Sequence, residues 1–537
     1  MSFNLTIEKW IPVVSMDWQR QEVSLIELFQ TWEQWREIQA ENPPTTLAIY
    51  RFLLAILHRV YQGPTDVDHW LEIRENNGKK AIAYLKKYAD CFDLLHPQKP
   101  FMQDPSLQRG VEDKKSPHAF LAAEMQGGNT GTVFCHDHLW SGSSLSISEA
   151  ARLIVKMQVF DVYGRKTGVT ERVGGIPTVG VAITLIQGSN LCQTLMLNMI
   201  RYDPDADEPS PVKGEDLPTW ERINKNPQIC IPSGYIHYLT YRWRRTKIFL
   251  DRDRVVQVAV QPGDRLCEKE SGKSPSVDEK KWECAIAYKE MSTKKKDEMI
   301  TVALKIDLNR SLWRDSTALF QSEGLSCPPR IVNWLATLKS ELEHTENSIP
   351  KILGLQIFGL AVDDAKPLSG VYEQLNVPTI YLTERKLWEA LKIAIAFAES
   401  HRQIFRSFKG SPYFTLAESL KGSAEVLSNS LDGESRYWLS LDRLFPIFLD
   451  ELAEDDSTGI DGIKRYGQIK LPEWKQQVQD AAKTAFTDSI GAIRDRCARA
   501  LGLRSLSFWL ARLRDEESEV QATKKTSSTT KNKGGKK

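Results

Sequence analysis

Two glycine-bearing loops in the first third of the chain carry the residues best suited to binding chemistry. The first spans residues 126–134 (QGGNTGTVF), and the second spans 163–168 (YGRKTG) and is closed by residues 174–177 (GGIP). Because glycine lacks a Cβ atom, the main chain of such loops can approach another surface closely and adopt positive φ. Arg165 and Lys166 add positive charge and hydrogen-bond donors, which suits contact with a phosphate backbone or a nucleic-acid groove. The loops therefore predict a surface that binds a polyanion rather than a catalytic centre.

A second group, Cys135-His136-Asp137-His138, is the only dense cluster of potential metal ligands. A metal-dependent nuclease built on His136, Asp137 and His138 is the alternative function that it suggests. A third or fourth ligand would have to come from elsewhere in the fold, because neighbouring residues offer none. The phosphate-loop, HExxH and GxSxG signatures of large enzyme classes do not occur. A polar loop is therefore the favoured interpretation of this cluster.

Basic residues also accompany aromatic ones in the run Trp243-Arg244-Arg245-Thr246-Lys247. Such a run could stack on or pair with a nucleotide. It could equally be an exposed strand edge whose long charged side chains extend over the core. Both interpretations stay open on the sequence alone. The arginines near the C-terminus, from Arg494 to Arg514, are more typical of a solvated helix face.

The charge balance argues against a free-standing, nonspecific DNA-binding protein. The 537 residues include 71 Lys+Arg and 70 Asp+Glu, a formal net charge of +1. Six of those lysines follow Val520, so residues 1–520 hold 65 basic and 70 acidic residues and carry a net charge of −5. Nonspecific DNA binders are usually basic. Local contact with nucleic acid by one subunit of an assembly is compatible with this balance.

Cysteine usage and the absence of an export signal predict a cytoplasmic location without membrane contact. The eight cysteines form no C-x-x-C pair, and scattered single thiols fit a reducing compartment. The N-terminus lacks the basic start and apolar core of a signal peptide. The most apolar helix candidate, residues 45–61, is too short to span a bilayer.

The pattern of apolar residues predicts an α+β fold, with a large irregular mixed domain over residues 1–372. Helices are expected at 45–61, 66–75, 78–88 and 147–157. Buried strands are expected at 179–186, 236–243 and 255–260, where β-branched residues lie between turn signals. The segments do not alternate as a doubly wound sheet requires.

The character of the sequence changes after Thr379, where helical periodicity dominates. Four amphipathic helices are expected, from 383 onward, at 412–427, at 433–454 and from Pro472 to Arg514. Such helices with short connections predict a four-helix bundle over residues 373–516. Residues 517–537 are rich in Lys, Ser, Thr and Gly, a composition typical of a disordered tail.

Four short motifs together resemble a known family. They are the opening Asn4-Leu5 with WIPV at 10–13, the segment from His96 to PFMQ at 100–103, GGIP at 174–177, and ESRYW at 434–438. In the same order they occur in the large subunit of the type I-E CRISPR Cascade surveillance complex, the CasA family. The resemblance covers the chain up to Arg514. It implies a non-enzymatic subunit without a cofactor, whose partners are other Cascade proteins, the guide RNA, double-stranded target DNA and a recruited helicase-nuclease. Members read a protospacer-adjacent motif in DNA and begin strand separation there.

The resemblance also implies which residues contact DNA. The family's first loop falls on Gly128, Asn129, Thr130, Gly131 and Phe134, and its minor-groove glycine loop falls on Tyr163, Gly164, Arg165, Lys166, Thr167 and Gly168. Its wedge, a β-hairpin tip inserted into the duplex, falls on Asp363, Asp364, Ala365 and Lys366. A basic finger is expected from the 263–281 loop, with Lys269 and Lys273 as candidates.

The wedge departs from the family pattern, in which glutamine and asparagine are common. Two carboxylates, Asp363 and Asp364, stand there instead. A carboxylate is repelled by DNA phosphates unless it accepts a hydrogen bond from an exposed base or acts sterically. Lys366 is then the expected polar contact. The cysteine cluster that some relatives carry in the 263–281 loop is absent, since only Cys267 is found there.

Overall fold

A computed structural model of the chain divides it into two compact units, Met1–Leu382 and Thr383–Lys537. The structure describes residues 2–108, 117, 121, 144–162, 164–165, 172–202, 216–222, 227, 230–266, 282–292, 299–320, 326–346, 348–363, 366–458 and 464–531. For residues 164–165, 172–173, 292, 456–458, 464 and 514–531 it describes the backbone alone. The first unit mixes helices and strands and the second is chiefly helical, which confirms the predicted fold class.

Several helices described in the first unit pack against one long helix, α2. The helices described in this unit are α1 (Leu25–Thr31), α2 (Pro43–Tyr61), α3 (Val67–Asn76), α4 (Lys79–Lys87), α5 (Ile147–Met157), α6 (Leu191–Asn198), α7 (Tyr235–Leu239), α8 (Thr317–Phe320) and α9 (Arg330–Leu342). Single turns of 3-10 helix occupy Ala89–Phe92, Thr219–Glu221, Leu312–Asp315 and Thr379–Leu382. The helices predicted near 45–61, 66–75, 78–88 and 147–157 are thereby confirmed as α2, α3, α4 and α5.

Helix α2 is set by its two ends. At its N-terminus the Asn42 side chain accepts a hydrogen bond from the Thr45 backbone N–H at 2.9 Å. The two prolines that follow Asn42 have no backbone N–H. This costs the helix no hydrogen bond, because the first N–H groups of a helix have no partner within it. At the other end Gln62 adopts the left-handed conformation and donates to the His58 carbonyl. Almost every side chain of α2 is buried, as expected for a helix surrounded by protein. Among the described helices, none combines the length and apolar character needed to cross a membrane.

The strands described in the first unit form small antiparallel sheets. They are β1 (Ile11–Ser15), β2 (Arg20–Val23), β3 (Trp35–Ile38), β4 (Gly164–Arg165), β5 (Arg172–Val173), β6 (Ile183–Gln187), β7 (Arg244–Asp251), β8 (Arg254–Pro262), β9 (Tyr288–Ser292), β10 (Met299–Ala303), β11 (Ile352–Asp363) and β12 (Lys366–Pro378). Two sheets have three strands, in the orders β2-β1-β3 and β12-β11-β6. The pairs β4-β5, β7-β8 and β9-β10 form two-stranded ribbons.

One predicted strand is wrong. Residues 236–243 begin inside helix α7, and the strand that follows starts only at Arg244. The cause is a distant cap: the carboxylate of Asp216 accepts hydrogen bonds from the backbone N–H groups of Ile236 (3.0 Å) and His237 (2.8 Å). Such a cap satisfies the free donors of a helix start. Because Asp216 lies nineteen residues before the start of the helix, the local β-propensity of residues 236–243 could not indicate this cap.

The second unit contains α10 (Arg385–His401), α11 (Pro412–Ser419), α12 (Ala424–Ser430), α13 (Gly433–Glu454), α14 (Lys470–Ser489) and α15 (Arg496–Lys531). It also holds a 3-10 turn at Arg402–Phe405 and a ribbon of β13 (Asp456–Thr458) with β14 (Lys464–Tyr466). The four long helices are α10, α13, α14 and α15, so two of the four predicted spans are corrected. The backbone of α15 is described as far as Lys531.

Local chemistry explains both corrections. Lys421 lies in the left-handed region (φ 53°) and Ser423 caps α12, so the span expected as one helix at 412–427 becomes α11 and α12. Helix α14 ends before Gly491, and Asp495 starts α15 by accepting a hydrogen bond from the Ala498 N–H at 2.9 Å. At both points a side-chain cap starts a new helix, although the apolar periodicity of the sequence is continuous.

Candidate nucleic-acid interface

The predicted wedge is the far end of the longest hairpin in the described part of the chain. Strand β11 pairs with β12 from Ile352↔Pro378 to Asp363↔Lys366. Residues 353–361 of β11 are mostly buried because this strand lies between β12 and β6. Strand β12 is the sheet edge, and most of its side chains are partly or fully exposed. The hairpin therefore has one rigid strand that can hold an exposed tip in place.

The tip itself carries charge of both signs. Asp363 and Lys366 face each other across the last pair of the ladder, and both side chains are exposed. The ladder shifts register between Ala361 and Val362, a bulge that increases local twist at this end. Leu368, two residues beyond Lys366, is 49% exposed. Asp364 and Ala365, which form the connection, lie outside the described residues.

The second glycine loop is the connection of a two-stranded ribbon. Gly164 pairs with Val173 and Arg165 pairs with Arg172, so β4 and β5 run antiparallel on either side of residues 166–171. Gly164 and Arg165 thus lie on a strand, described by its backbone. Lys166, Thr167 and Gly168 belong to the connection and lie outside the described residues.

Arg244 holds both ends of this second loop. Its guanidinium forms a buried ion pair with Asp161, which precedes β4, and donates to the Gly174 carbonyl, which follows β5, at 2.6 Å. The side chain of Gln158 pairs with the Arg244 backbone, donating to its carbonyl at 2.9 Å and accepting from its N–H at 3.1 Å. One side chain therefore closes the base of the ribbon β4–β5.

The next residues of the same strand hold residues 104–107, which lie before the first glycine loop in the sequence. Arg245 donates to the Asp104 carboxylate at 2.6 Å, and Lys247 donates to the carbonyls of Pro105 (2.7 Å) and Leu107 (2.9 Å). Burial alone would raise the pKa of Asp104. Hydrogen bonds from Ser106 and Arg245 lower that pKa below its ordinary value, so the carboxylate stays charged.

The partner strand, β8, holds Ser144 and Leu145, which lie after the first glycine loop in the sequence. Arg254 donates to the Ser144 side chain at 3.0 Å and to the Ser144 carbonyl at 2.6 Å. Leu145 and Val255 then exchange backbone hydrogen bonds of 2.9 Å. The hairpin β7–β8 therefore contacts residues 104–107 and 144–145, which flank in the sequence the segment containing the first loop, as well as the base of the second loop.

These contacts correct both interpretations of the run 243–247. Arg244 is 3% exposed and ion-paired inside the unit, so it is neither a nucleotide contact nor a solvated edge residue. Arg245 and Lys247 are committed to residues 104–107. The basic residues of β7 thus hold the base of the second glycine loop and residues 104–107.

A short segment connects the second loop with the wedge hairpin. Gly180 donates its N–H to the Leu360 carbonyl of β11 at 3.0 Å. Its φ is +79°, and a Cβ atom there would stand 3.2 Å from the Val362 side chain. Gly174, held by Arg244, lies six residues earlier, a span of at most about 20 Å of extended chain. The base of the glycine ribbon is therefore joined to the outer end of the wedge hairpin by this one short segment.

Comparison with known proteins assigns the chain to a family. The model of the family described as CRISPR-associated protein Cse1 matches residues 4–485. The chain belongs to the Cse1 family. CRISPR-associated protein CasA/Cse1 of Thermus thermophilus is 27% identical over 524 residues, which cover 90% of this chain and 91% of that relative. The resemblance to the large Cascade subunit, inferred from four motifs, is thereby confirmed.

Solved structures share the Cse1 fold. Thermobifida fusca Cse1 has a TM-score of 0.77 at 23% identity, covering 96% of this chain and 98% of its own. A chain of a CRISPR RNA-guided surveillance complex has a TM-score of 0.70 at 19% identity, covering 95% of this chain and 99% of its own. Both matches extend over almost the whole sequence.

Several residues expected to act in this Cse1-family chain lie outside the described residues. They are Asn129, Thr130, Gly131 and Phe134 of the first loop, the candidate lysines Lys269 and Lys273, and the cluster His136, Asp137 and His138. Within the described ranges, no group of three or more His, Cys, Asp or Glu side chains is arranged to hold a metal ion. The structure adds Arg244, which holds the base of the second loop, and Arg245, Lys247 and Arg254, which hold residues 104–107 and 144.

Proposed function

We propose that this chain is a non-catalytic, DNA-reading subunit of an RNA-guided CRISPR interference complex. It recognises the protospacer-adjacent motif in double-stranded DNA, promotes strand separation and R-loop formation, and helps to recruit the helicase-nuclease. The first unit reads the motif, and the helical second unit stabilises opened DNA. The complex would act in the cytoplasm, where invading DNA and guide RNA meet.

One observation carries the proposal beyond family membership. The hairpin β7–β8 holds the base of the second glycine loop through Arg244, and through Arg245 and Arg254 it holds Asp104 and Ser144, which lie before and after the first glycine loop in the sequence. Gly180 then ties the same region to the wedge hairpin. Binding sites require loops supported by rigid elements, and here one hairpin contacts both the base of the second glycine loop and the two sequence flanks of the segment that contains the first. Such an arrangement suits one continuous ligand, such as a DNA duplex, better than several unrelated ones.

The expected chemistry of recognition follows from the loop composition. Backbone groups of a glycine loop in the minor groove can distinguish A·T from G·C pairs but little more. We therefore expect tolerance of several flanking motifs. Base pairing with the guide RNA would read the rest of the target, as in other RNA-guided systems. The slightly acidic body leaves most phosphate neutralisation to the other Cascade proteins.

The decisive test compares DNA binding by the reconstituted complex with and without this chain at fixed salt. Targets would share one protospacer and differ only in the flanking trinucleotide. We expect discrimination among flanks only when the chain is present. Equal affinity for every flank would contradict motif reading and would leave the chain a scaffold.

The same assay separates DNA reading from scaffolding by substitution. Replacing Gly164 and Gly168 together by alanine should reduce flank discrimination, while the variant still joins the complex on size-exclusion chromatography. As a control, replacing Gly422 and Gly502 by alanine alters two glycines of the second unit, where a Cβ atom would meet nothing within 4 Å or only ordinary contacts of 3.5 Å. If both pairs behave alike, the second glycine loop has no specific role.

A further inference from the structure

A cavity of about 400 Å³ opens in the first unit beside the base of the wedge hairpin. Its walls are the end of β3, the start of α2, and the face of β11 and β12 that is turned toward them. Glu37, Tyr50, Gln356, Phe358 and Tyr372 are among the residues that line it. Tyr50 and Phe358 are buried, whereas Tyr372 is 44% exposed at the edge strand. The cavity is thus aromatic on its sides and open at one end.

A directed chain of hydrogen bonds runs along one side of this cavity. Gln356 donates to the Tyr372 hydroxyl at 3.1 Å, and that hydroxyl donates to Gln374 at 2.6 Å. Gln374 donates to Gln187 at 3.0 Å, and Gln187 donates to the Glu37 carboxylate at 2.9 Å. Every hydrogen bond in this chain is donated in the direction of Glu37, so each of these side chains has at least one donor engaged within the protein.

Two acceptors are left over at the cavity wall. Gln356 is 3% exposed, and its Oε1 has no hydrogen-bond partner among the described residues. Glu37 accepts one hydrogen bond through Oε2 and forms no ion pair with any residue that the structure describes. Burial raises the pKa of Glu37, and Arg36 offsets this only in part. A half-buried carboxylate without a paired cation is costly, and a cationic ligand would remove that cost.

The neighbouring cations of the chain do not fill this role. Arg36 precedes Glu37 on the same strand and therefore points to the opposite face. There its guanidinium lies 4.2 Å from the centre of the Trp18 ring. Arg20 lines the cavity but forms no ion pair with Glu37. Arg152 pairs with Glu41 at the cavity rim, not with Glu37.

The free groups select for a cation rather than for nucleic acid. A lysine ammonium or arginine guanidinium carries only donors, which match Glu37 and Gln356 Oε1. The rings of Phe358 and Tyr372, 5.1 Å apart, offer faces for a cation–π contact. A nucleotide would bring a phosphate close to the carboxylates of Glu37 and Glu41, which is repulsive.

We infer that this cavity receives a lysine or arginine side chain from another protein subunit of the complex. The inference rests on the proposed function, because it needs a partner protein docked beside the wedge hairpin. A cationic side chain that pairs with a carboxylate and packs against aromatic rings is the kind of residue that contributes much of the binding energy of an interface. The contact would fix the hairpin base while leaving its tip free for DNA.

The test measures docking of this chain onto the purified remainder of its complex, immobilised for biolayer interferometry. Glu37→Gln keeps the shape of the side chain and removes its charge, and we expect docking to weaken about tenfold. Tyr372→Ala removes one aromatic wall from an exposed edge strand and should weaken docking in the same direction. Glu33→Gln, an exposed carboxylate four residues earlier, is the matched control and should dock as the wild type does.

The outcomes separate the two proposals. If the wild type docks and Glu37→Gln docks equally well, the inference is wrong while the proposed assembly stands. If Glu37→Gln docks normally but the assembled complex binds target DNA more weakly, the cavity takes a nucleobase and the inference is again overturned. If the wild type does not dock at all, both proposals fail. Thermal unfolding of each variant confirms that the docking measurements compare folded proteins.

Discussion

Arg244 and Asp161 form a buried ion pair across 83 residues of sequence, and the same arginine reaches the Gly174 carbonyl. Both side chains are almost fully excluded from solvent. The contact closes the base of the ribbon that carries the second glycine loop. A buried charged side chain thus fixes the two ends of an exposed loop.

We expect Arg244→Met to destabilise the first unit by about 3 kcal/mol, because it leaves the Asp161 carboxylate buried and unpaired. Urea unfolding measures the change. Arg245→Met removes a cation from the more exposed pair with Asp104 and should cost about 1 kcal/mol or less. Adding Asp161→Asn to Arg244→Met should recover part of the loss. A double variant no more stable than Arg244→Met alone would show that the charge of Asp161 is not the cause.

Sequence pattern predicts those elements whose causes are local. Helices α2 and α13 follow from continuous apolar periodicity, and both were predicted within a few residues of their observed ends. Helix α7 was missed because its cap, Asp216, comes from a distant segment. The division between α14 and α15 was missed because the apolar periodicity continues across Gly491, whereas the helix ends before it.

The candidate site shows the same contrast: features with local causes can be predicted from the sequence, and features that depend on tertiary contacts cannot. Glycine content and the family motifs were enough to predict two loops and a hairpin tip, and the described parts of these lie on β4, β11 and β12. The support from β7 could not be predicted, since the pairing of Arg244 with Asp161 and of Arg245 with Asp104 depends on the tertiary fold. A run of arginines has the same sequence pattern whether its side chains bind phosphates or buried aspartates.

The cations of the second loop provide a direct test of DNA contact. Arg165→Ala combined with Lys166→Ala should weaken target binding by the assembled complex while assembly survives. If both side chains neutralise phosphates, the slope of log affinity against log salt should fall by about 2. Lys86→Ala with Lys87→Ala makes the same charge change on the exposed face of α4 and serves as the control. An unchanged affinity at physiological salt would remove Arg165 and Lys166 from the DNA site.

Two buried histidines should make the first unit sensitive to acid. Burial lowers the pKa of His58 to about 3, and burial together with Arg222 lowers the pKa of His237 to about 3. An unfolded histidine titrates near 6.5. Between pH 6.5 and 3 the unfolded chain therefore binds protons that the folded chain refuses, so the free energy of unfolding falls as the pH drops through this window. The loss is about 2 kcal/mol per histidine at pH 5.

Unfolding in urea at pH 7.5 and pH 5 measures this effect. His58→Phe keeps an aromatic ring beside Tyr202 and removes the titrating group, so it should lose about half of the pH dependence. His344→Gln, an exposed histidine, should leave the dependence as it is in the wild type. If His58→Phe keeps the full pH dependence, protonation of His58 is not coupled to unfolding.

The carboxylates at the wedge tip should hinder DNA opening. Asp363 is exposed and paired with Lys366, and Asp364 follows it at the turn. One carboxylate about 4 Å from a phosphate costs about 1 kcal/mol in water, and salt screens the repulsion. Replacing both by asparagine should therefore accelerate R-loop formation several-fold at low salt and less at high salt. Fluorescence of 2-aminopurine placed beside the flanking motif reports the opening rate.

Two comparisons assign the effect to position rather than to net charge. Glu72→Gln with Glu75→Gln removes two exposed carboxylates from α3 and should leave the opening rate unchanged. Lys366→Ala should slow opening, because it removes the only cation of the tip. If the asparagine pair slows opening instead, the carboxylates act as acceptors for exposed base amino groups. In that case the aspartates would be specificity-determining residues of the wedge, since a hydrogen bond to a base can outweigh a screened repulsion from the backbone.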